Sequence, residues 1–198
     1  MGEIGAVILA GGKSNRMGKD KAFLSLGDKP LFEYVLRVCA HLFKDIMVVT
    51  KNPDPFLKYP IRVERDIVDA GVLGGLYTGL SLSLTPFVFC VACDMPFLKE
   101  KLIKYLVSLK NGYDAVVPLG PDGLHPLCAV YSKNCLNPIE KSIAEGNRRI
   151  SSFFKEIKLR LVEVEEVRVF DPQFLSFFNI NTPSDLRMAE EALKGNQL

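Results

Sequence analysis

The chain has 198 residues, 48% of them apolar and 24% charged, with 25 basic against 23 acidic side chains and a formal net charge of +2. That length predicts one domain over residues 1–198, able to bury roughly 70% of its unfolded surface. The near-balanced charge excludes nucleic-acid binding through bulk charge. Five scattered cysteines, an odd number, do not read as a disulfide framework. With no secretory-leader pattern and no apolar run of membrane-spanning length, a reducing cytoplasm is the expected setting.

The first predicted element is a buried strand ending in Val7-Ile8-Leu9,. Leu9-Ala10-Gly11-Gly12 turns it into a loop, behind which Lys13, Arg16, Lys19 and Lys21 crowd together with Ser14, Asn15 and Gly18. Glycines let backbone N–H groups turn inward as a nest for an anion, and the cations neutralise its charge, so the stretch reads as a polyphosphate cradle. The alternative is an ordinary solvated turn. Position favours the cradle, because open α/β sheets bind ligands just beyond the carboxyl ends of their strands. Neither the Walker A spacing nor G-x-G-x-x-G occurs here.

Asp28 and Pro30 announce a helix whose apolar residues, Leu31, Val35, Val38, Cys39 and Leu42, recur at helical spacing,. His41 near its end reads as a surface or capping residue. Residues 46–50 form the next buried strand, and the turn-rich 51–55 follows. A strand, helix, strand order is that of a parallel crossover, which brings Thr50 and Asn52 to the edge that carries the phosphate loop. They are candidates for touching a base or ribose, although Asn and Pro also simply make turns. After a brief strand at 61–64, Asp66 has three readings: it accepts hydrogen bonds from a guanine edge, holds a sugar hydroxyl, or pairs with Arg65. Residues 70–79, AGVLGGLYTG, place closely spaced glycines at the start of an apolar helix, where backbone can approach a ligand or another helix.

The run 86–94, PFVFCVACD, is the most hydrophobic in the chain and belongs at the sheet centre. Cys90 and Cys93 form C-x-x-C, but strand alternation sends them to opposite faces and no second pair follows, so they read as small core residues rather than zinc ligands. Asp94 ends the run on the edge of the phosphate loop, where a carboxylate can hold Mg2+ that already bridges phosphate oxygens. The competing role is N-cap of a helix over 99–110. A strand at 113–118, a Gly/Pro-rich loop at 119–124, His125-Pro126, a strand at 127–131 and a helix at 132–144 come next. Arg148 and Arg149 after Gly146 suit either an acceptor phosphate or pterin-like ring, or a solvated helix start. Residues 159–164 and 167–170 alternate as strands. Thr182, Pro183 and Asp185 read as the N-terminus of a helix over 184–194. Asn179 and Asn181, which that cap does not explain, project to one side of a strand.

The LAGG start, the Arg16-Met17-Gly18 triplet and the Asp20-Lys21 pair resemble the signature of the molybdenum cofactor guanylyltransferase (MobA) family. Further matches are Ala92-Cys93-Asp94-Met95-Pro96, His125-Pro126 and Asn179-Ile180-Asn181-Thr182-Pro183, in the family's order over nearly the whole chain. The resemblance implies an α/β protein, a three-layer α/β/α sandwich with a mostly parallel, Rossmann-like sheet of the nucleotidyltransferase type. It implies GTP at the strand carboxyl edge and a molybdopterin or molybdenum cofactor acceptor whose phosphate attacks the α-phosphorus and expels pyrophosphate. Arg16 and Lys21 would neutralise that pyrophosphate, Asp94 would hold Mg2+, and the Asn181 carboxamide would supply the metal a further oxygen. Leu9, Ala10, Gly11, Gly12 and the glycine turn containing Gly74 would lie along the nucleotide, with His125 near the acceptor in a positioning role. Proteins of cofactor biosynthesis and recipient apoenzymes are the further partners such a function brings in. Gly11-Gly12 after Ala10 is similar to the guanylyl enzymes, whereas cytidylyl relatives carry a second alanine. Thr50 departs from the pattern, which has asparagine there. The rivals are a cytidylyl- or sugar-1-phosphate nucleotidyltransferase, and a regulatory module that binds GTP without turning it over.

Overall fold

A computed structural model describes residues 4–11 and 21–194. Its order is β1 (Ile4–Leu9), β2 (Ser25–Leu26), β3 (Lys29–Pro30), α1 (Leu31–Leu42), β4 (Ile46–Thr50), β5 (Arg62–Arg65), α2 (Gly71–Leu82), β6 (Phe87–Ala92), α3 (Glu100–Ser108), β7 (Ala115–Gly120), β8 (Gly123–Leu124), β9 (Cys128–Ser132), α4 (Leu136–Ala144), β10 (Leu159–Val162), α5 (Val164–Phe170) and α6 (Pro183–Lys194). The main sheet runs β10-β7-β9-β6-β1-β4-β5, with β8 paired to β7 and a separate β2-β3 hairpin. β1 pairs in parallel with both β4 and β6, with Ile8 opposite Val48 on one side and Val91 on the other. β9 is antiparallel to β6 and to β7, because the chain enters it from the β7-β8 hairpin rather than through a helix.

Alternation along β1 builds the layers. Ile4, Ala6 and Ile8 face a core shared with Phe32, Val35 and Cys39 of α1, Leu102, Ile103 and Leu106 of α3 and Val167 of α5. Val7 and Leu9 face Leu73, Leu76 and Leu80 of α2, Ile139 of α4 and Phe153. The result is the expected helix, sheet, helix sandwich. α1 alone buries Leu31, Phe32, Val35, Val38 and Cys39, and each large apolar side chain so placed contributes about 2 kcal/mol of transfer free energy. Cys90 and Cys93 do fall on opposite faces. All five cysteines are buried, and burial pushes the Cys39 thiol up to about 12.

Two expectations require correction. Residues 164–170 are helix, not strand: Glu163 accepts from the backbone of Glu166 while Glu166 accepts from Glu163 N, a reciprocal cap that starts α5 and turns Val167 into the core,. Residues 179–181 join no sheet ladder. They are held instead by separate bonds, from Ile180 N to the Asp94 carbonyl at 3.1 Å and from Asn181 N to Asp185 Oδ2 at 2.8 Å. A third core beside the site gathers Leu24, Leu26, Leu31, Phe97, Ile180 and Ala189. It ties the β2-β3 hairpin, the segment after Asp94 and α6 together.

Candidate active site

At the carboxyl ends of β1, β4 and β6 lies a cleft of about 370 Å³. The three strands are locked in register to its floor: Ala10 N donates to Val49 O at 2.9 Å and Cys93 N to Leu9 O at 3.1 Å. Of the residues singled out in the sequence, Leu9, Ala10, Gly11, Lys21, Thr50, Asp66, Asp94, Asn179 and Asn181 line it. Among the described residues, a Cβ at Gly11 would meet nothing within 4 Å. Gly12 and Arg16 lie outside the described residues.

Asn52 is not among the lining residues; its backbone N–H donates to Thr50 Oγ1 at 3.2 Å, which is a turn-making role. Gly74 is not among them either, while Gly71, Val72 and Gly75 are. The reason is packing: a Cβ on Gly74 would lie 2.2 Å from the Val68 carbonyl oxygen. Gly75 and Gly79 likewise let α2 sit tightly on Leu9 and Val7 of β1. The closely spaced glycines thus divide between the cleft, at Gly71 and Gly75, and close packing of α2 on β1 and on the loop before it, at Gly74, Gly75 and Gly79.

Asp66 does not pair with Arg65. Its Oδ1 accepts from Val68 N at 3.1 Å and from Thr78 Oγ1 at 2.9 Å, while Arg65 donates to the Lys51 carbonyl. The carboxylate is fixed at the cleft wall by α2 and by its own loop.

The charged end of the cleft joins three distant segments. Lys21 Nζ is 3.3 Å from Asp94 Oδ2 and 2.5 Å from Asn181 Oδ1. The Asp94 side chain is 15% exposed and that of Lys21 21%. Burial pushes the Asp94 carboxyl above its usual range, opposed by the Lys21 charge and hydrogen bond and by its own backbone N–H. Asp94 does not cap α3; the position before that helix is Lys99. Its neighbour across the cleft is set by a second cap, in which Asp185 Oδ2 accepts from Asn181 N at 2.8 Å and Thr182 N at 2.7 Å. Asp185 N in turn donates to Thr182 Oγ1. Ile180 is fully buried, so the residues on either side of it face the cleft.

Among the described residues no group of three or more His, Cys, Asp or Glu is placed to hold a metal. The donors here are one carboxylate and one carboxamide, both hard oxygens, which fits a divalent ion that takes its remaining ligands from water and substrate phosphates. His125 does not line the cleft. It is buried, stacked on Phe177 with ring centroids 3.8 Å apart, and its Nε2 lies 2.8 Å from Asp122 Oδ1. Arg148 donates to the Asp69 carbonyl at 2.8 Å, bracing the loop between Asp66 and α2, and Arg149 leads into the short turn Ile150–Glu156. Asp171, which with Pro172 reads in sequence as the start of a short turn or helix, is fully buried and accepts from Leu175 N and Ser176 N. A D-P pair looks like any turn until its burial is known.

The MobA-like NTP transferase domain model matches residues 6–163. A molybdenum cofactor guanylyltransferase of Desulfosudis oleivorans is 34% identical over 100% of this chain and 100% of its own. The crystal structure of molybdopterin-guanine dinucleotide biosynthesis protein A from Archaeoglobus fulgidus superposes with a TM-score of 0.84 at 30% identity, covering 96% of this chain and 98% of that one. A Mycobacterium tuberculosis protein solved in complex with manganese shares the fold, with a TM-score of 0.66 at 15% identity over 96% and 99% of the two chains.

Proposed function

We propose, since this chain belongs to the MobA-like NTP transferase family, that it transfers the guanylyl group of GTP to molybdopterin or molybdenum cofactor and releases pyrophosphate. The relatives named for that activity, similar along the full chain, support the reaction. The observation that carries the site is the convergence of Lys21, Asp94 and Asn181 at one end of a cleft floored by Leu9, Ala10 and Gly11.

Such a reaction needs alignment and charge neutralisation rather than a covalent nucleophile, since the acceptor phosphate brings its own oxygen. Leu9, Ala10 and Gly11 border the part of the cleft assigned to the phosphates, and Asp66 offers a fixed acceptor to the base or ribose. Lys21, with Arg16 assigned to the same task by its place in the sequence, neutralises charge on the leaving pyrophosphate. Asp94 and Asn181 are the residues that would hold Mg2+, whose chemistry there is to screen the phosphate oxygens from one another and from the attacking group. The use of cysteines as small buried residues is in keeping with a reducing, cytoplasmic setting. No helix among the described residues is long and apolar enough to cross a membrane.

The test is pyrophosphate release with Mg2+ and molybdopterin or molybdenum cofactor, comparing GTP with CTP, ATP and UTP, and repeated with Asp94→Ala. Release with GTP alone that falls by two to three orders of magnitude in the variant is expected, since loss of one preorganised charge partner costs on the order of 3 kcal/mol. Release with CTP instead would overturn the base assignment, and binding without any turnover would point to the regulatory module.

A further inference from the structure

The segments that carry the two oxygens assigned to the metal are tied to one another through the backbone, whereas the cation beside them arrives on a long side chain. Ile180 N donates to the Asp94 carbonyl, and Asp185 grips Asn181 N. The backbone thereby brings the segments that carry carboxylate and carboxamide side by side. Lys21 comes to them from 73 and 160 residues away in sequence, on a flexible four-carbon stem. A magnesium-sized ion bound to both oxygens would lie about 2.1 Å from each. An ammonium nitrogen 2.5 Å from Asn181 Oδ1 and 3.3 Å from Asp94 Oδ2 fills the same space with the same sign of charge. Ammonium and divalent ion are therefore mutually exclusive in this arrangement.

We propose that Lys21 is a built-in counter-ion for Asp94 and Asn181 which a divalent cation must displace, the lysine moving to the nucleotide's phosphates as the metal takes the two oxygens. This rests on the assignment of Asp94 and Asn181 as metal ligands. Its consequence is an ordering device. Metal alone competes with a tethered cation and binds weakly, and a triphosphate that draws the lysine away raises the affinity of the site for metal. By linkage the metal raises the affinity for triphosphate by the same factor. Productive loading thus favours metal and nucleotide together.

The experiment is direct Mn2+ binding, followed by electron paramagnetic resonance of the free ion, without nucleotide and with a non-hydrolysable GTP analogue. It compares wild type with Lys21→Met and Lys21→Gln, which keep a long stem and remove the charge, and with Asp94→Asn. Without nucleotide, both Lys21 variants are expected to bind Mn2+ on the order of tenfold tighter than wild type, within the usual span of coupling factors. Adding the analogue should tighten Mn2+ binding in wild type and much less in the variants. Equal or weaker Mn2+ binding in both Lys21 variants, with loss in Asp94→Asn, overturns the exchange and leaves the ligands standing. Unchanged binding in Asp94→Asn overturns the ligand assignment and the exchange with it.

Discussion

Gly74→Ala separates a packing glycine from a ligand-contacting one. A methyl at Gly74 would lie 2.2 Å from the Val68 carbonyl oxygen and 3.3 Å from Ala70 Cβ. Carbon-to-oxygen contacts close at about 3.3 Å, so α2 or the loop before it must retreat by about 1 Å. A backbone carbonyl cannot rotate aside as a side chain can, which places the cost near the upper end of overpacking, about 3 kcal/mol. Alanine's better helix propensity returns about 1 kcal/mol, for a net loss of about 2 kcal/mol, or a fall in Tm of about 4–8 °C in a domain of this size. Gly75→Ala is the comparator. Its methyl would meet Leu9 Cδ2 at 3.3 Å, the end of a flexible side chain, so its stability should stay within about 1 kcal/mol of wild type. Gly75, unlike Gly74, lines the cleft, so that variant should weaken GTP binding instead. Urea denaturation and calorimetric GTP titration of both variants decide the matter. A stable Gly74→Ala that has lost nucleotide would refute the packing argument.

Ile180→Ala empties a fully buried position in the small core behind the cleft and should cost about 2–5 kcal/mol in urea denaturation; a loss below 1 kcal/mol would mean that this core does not support the Asn179–Asn181 segment. Hydrogen bonds from Asn181 N hold the Asp185 carboxyl below its usual value of 3.8, so its stabilising effect is complete above that pH and fades as the pH falls through the folded-state value. Asp185→Ala should therefore lose about 1 kcal/mol at neutral pH and converge with wild type in strong acid. Burial holds the His125 pKa below 6.5 against the pull of Asp122. The unfolded chain then takes up more protons than the folded one, and stability should decline as the pH falls below 6.5 until the folded-state value is passed. Denaturation from pH 8 to 5 should show that decline in wild type and a smaller one in His125→Phe.

Much of the layer architecture was legible because it depends on local period. Residues 46–49 and 87–93 are unbroken apolar runs, the 31–42 segment repeats at helical spacing, and Thr182-Pro183-Ser184-Asp185 carries its own cap, so hydrophobic burial and backbone satisfaction already specify strand or helix there. The 164–170 segment misled because its apolar alternation fits a strand over so short a span, and the Glu163–Glu166 cap decided for helix. At the cleft, the placement of Leu9, Ala10, Gly11 and Asp94 along one edge of the sheet was legible in sequence, since each lies at the end of an apolar run that reads as a parallel strand,.

What residue types and their spacing determined, then, was most of the order of strands and helices, with residues 164–170 the exception. Tertiary structure alone decided the antiparallel placement of β9, the separation of Gly74 from the cleft and the meeting of Lys21 with Asn181. The physical reason is the range of the forces involved: periodicity, caps and turns act within a few residues, whereas a lysine and a carboxamide 160 positions apart meet only after the sheet and the small third core have brought their segments together.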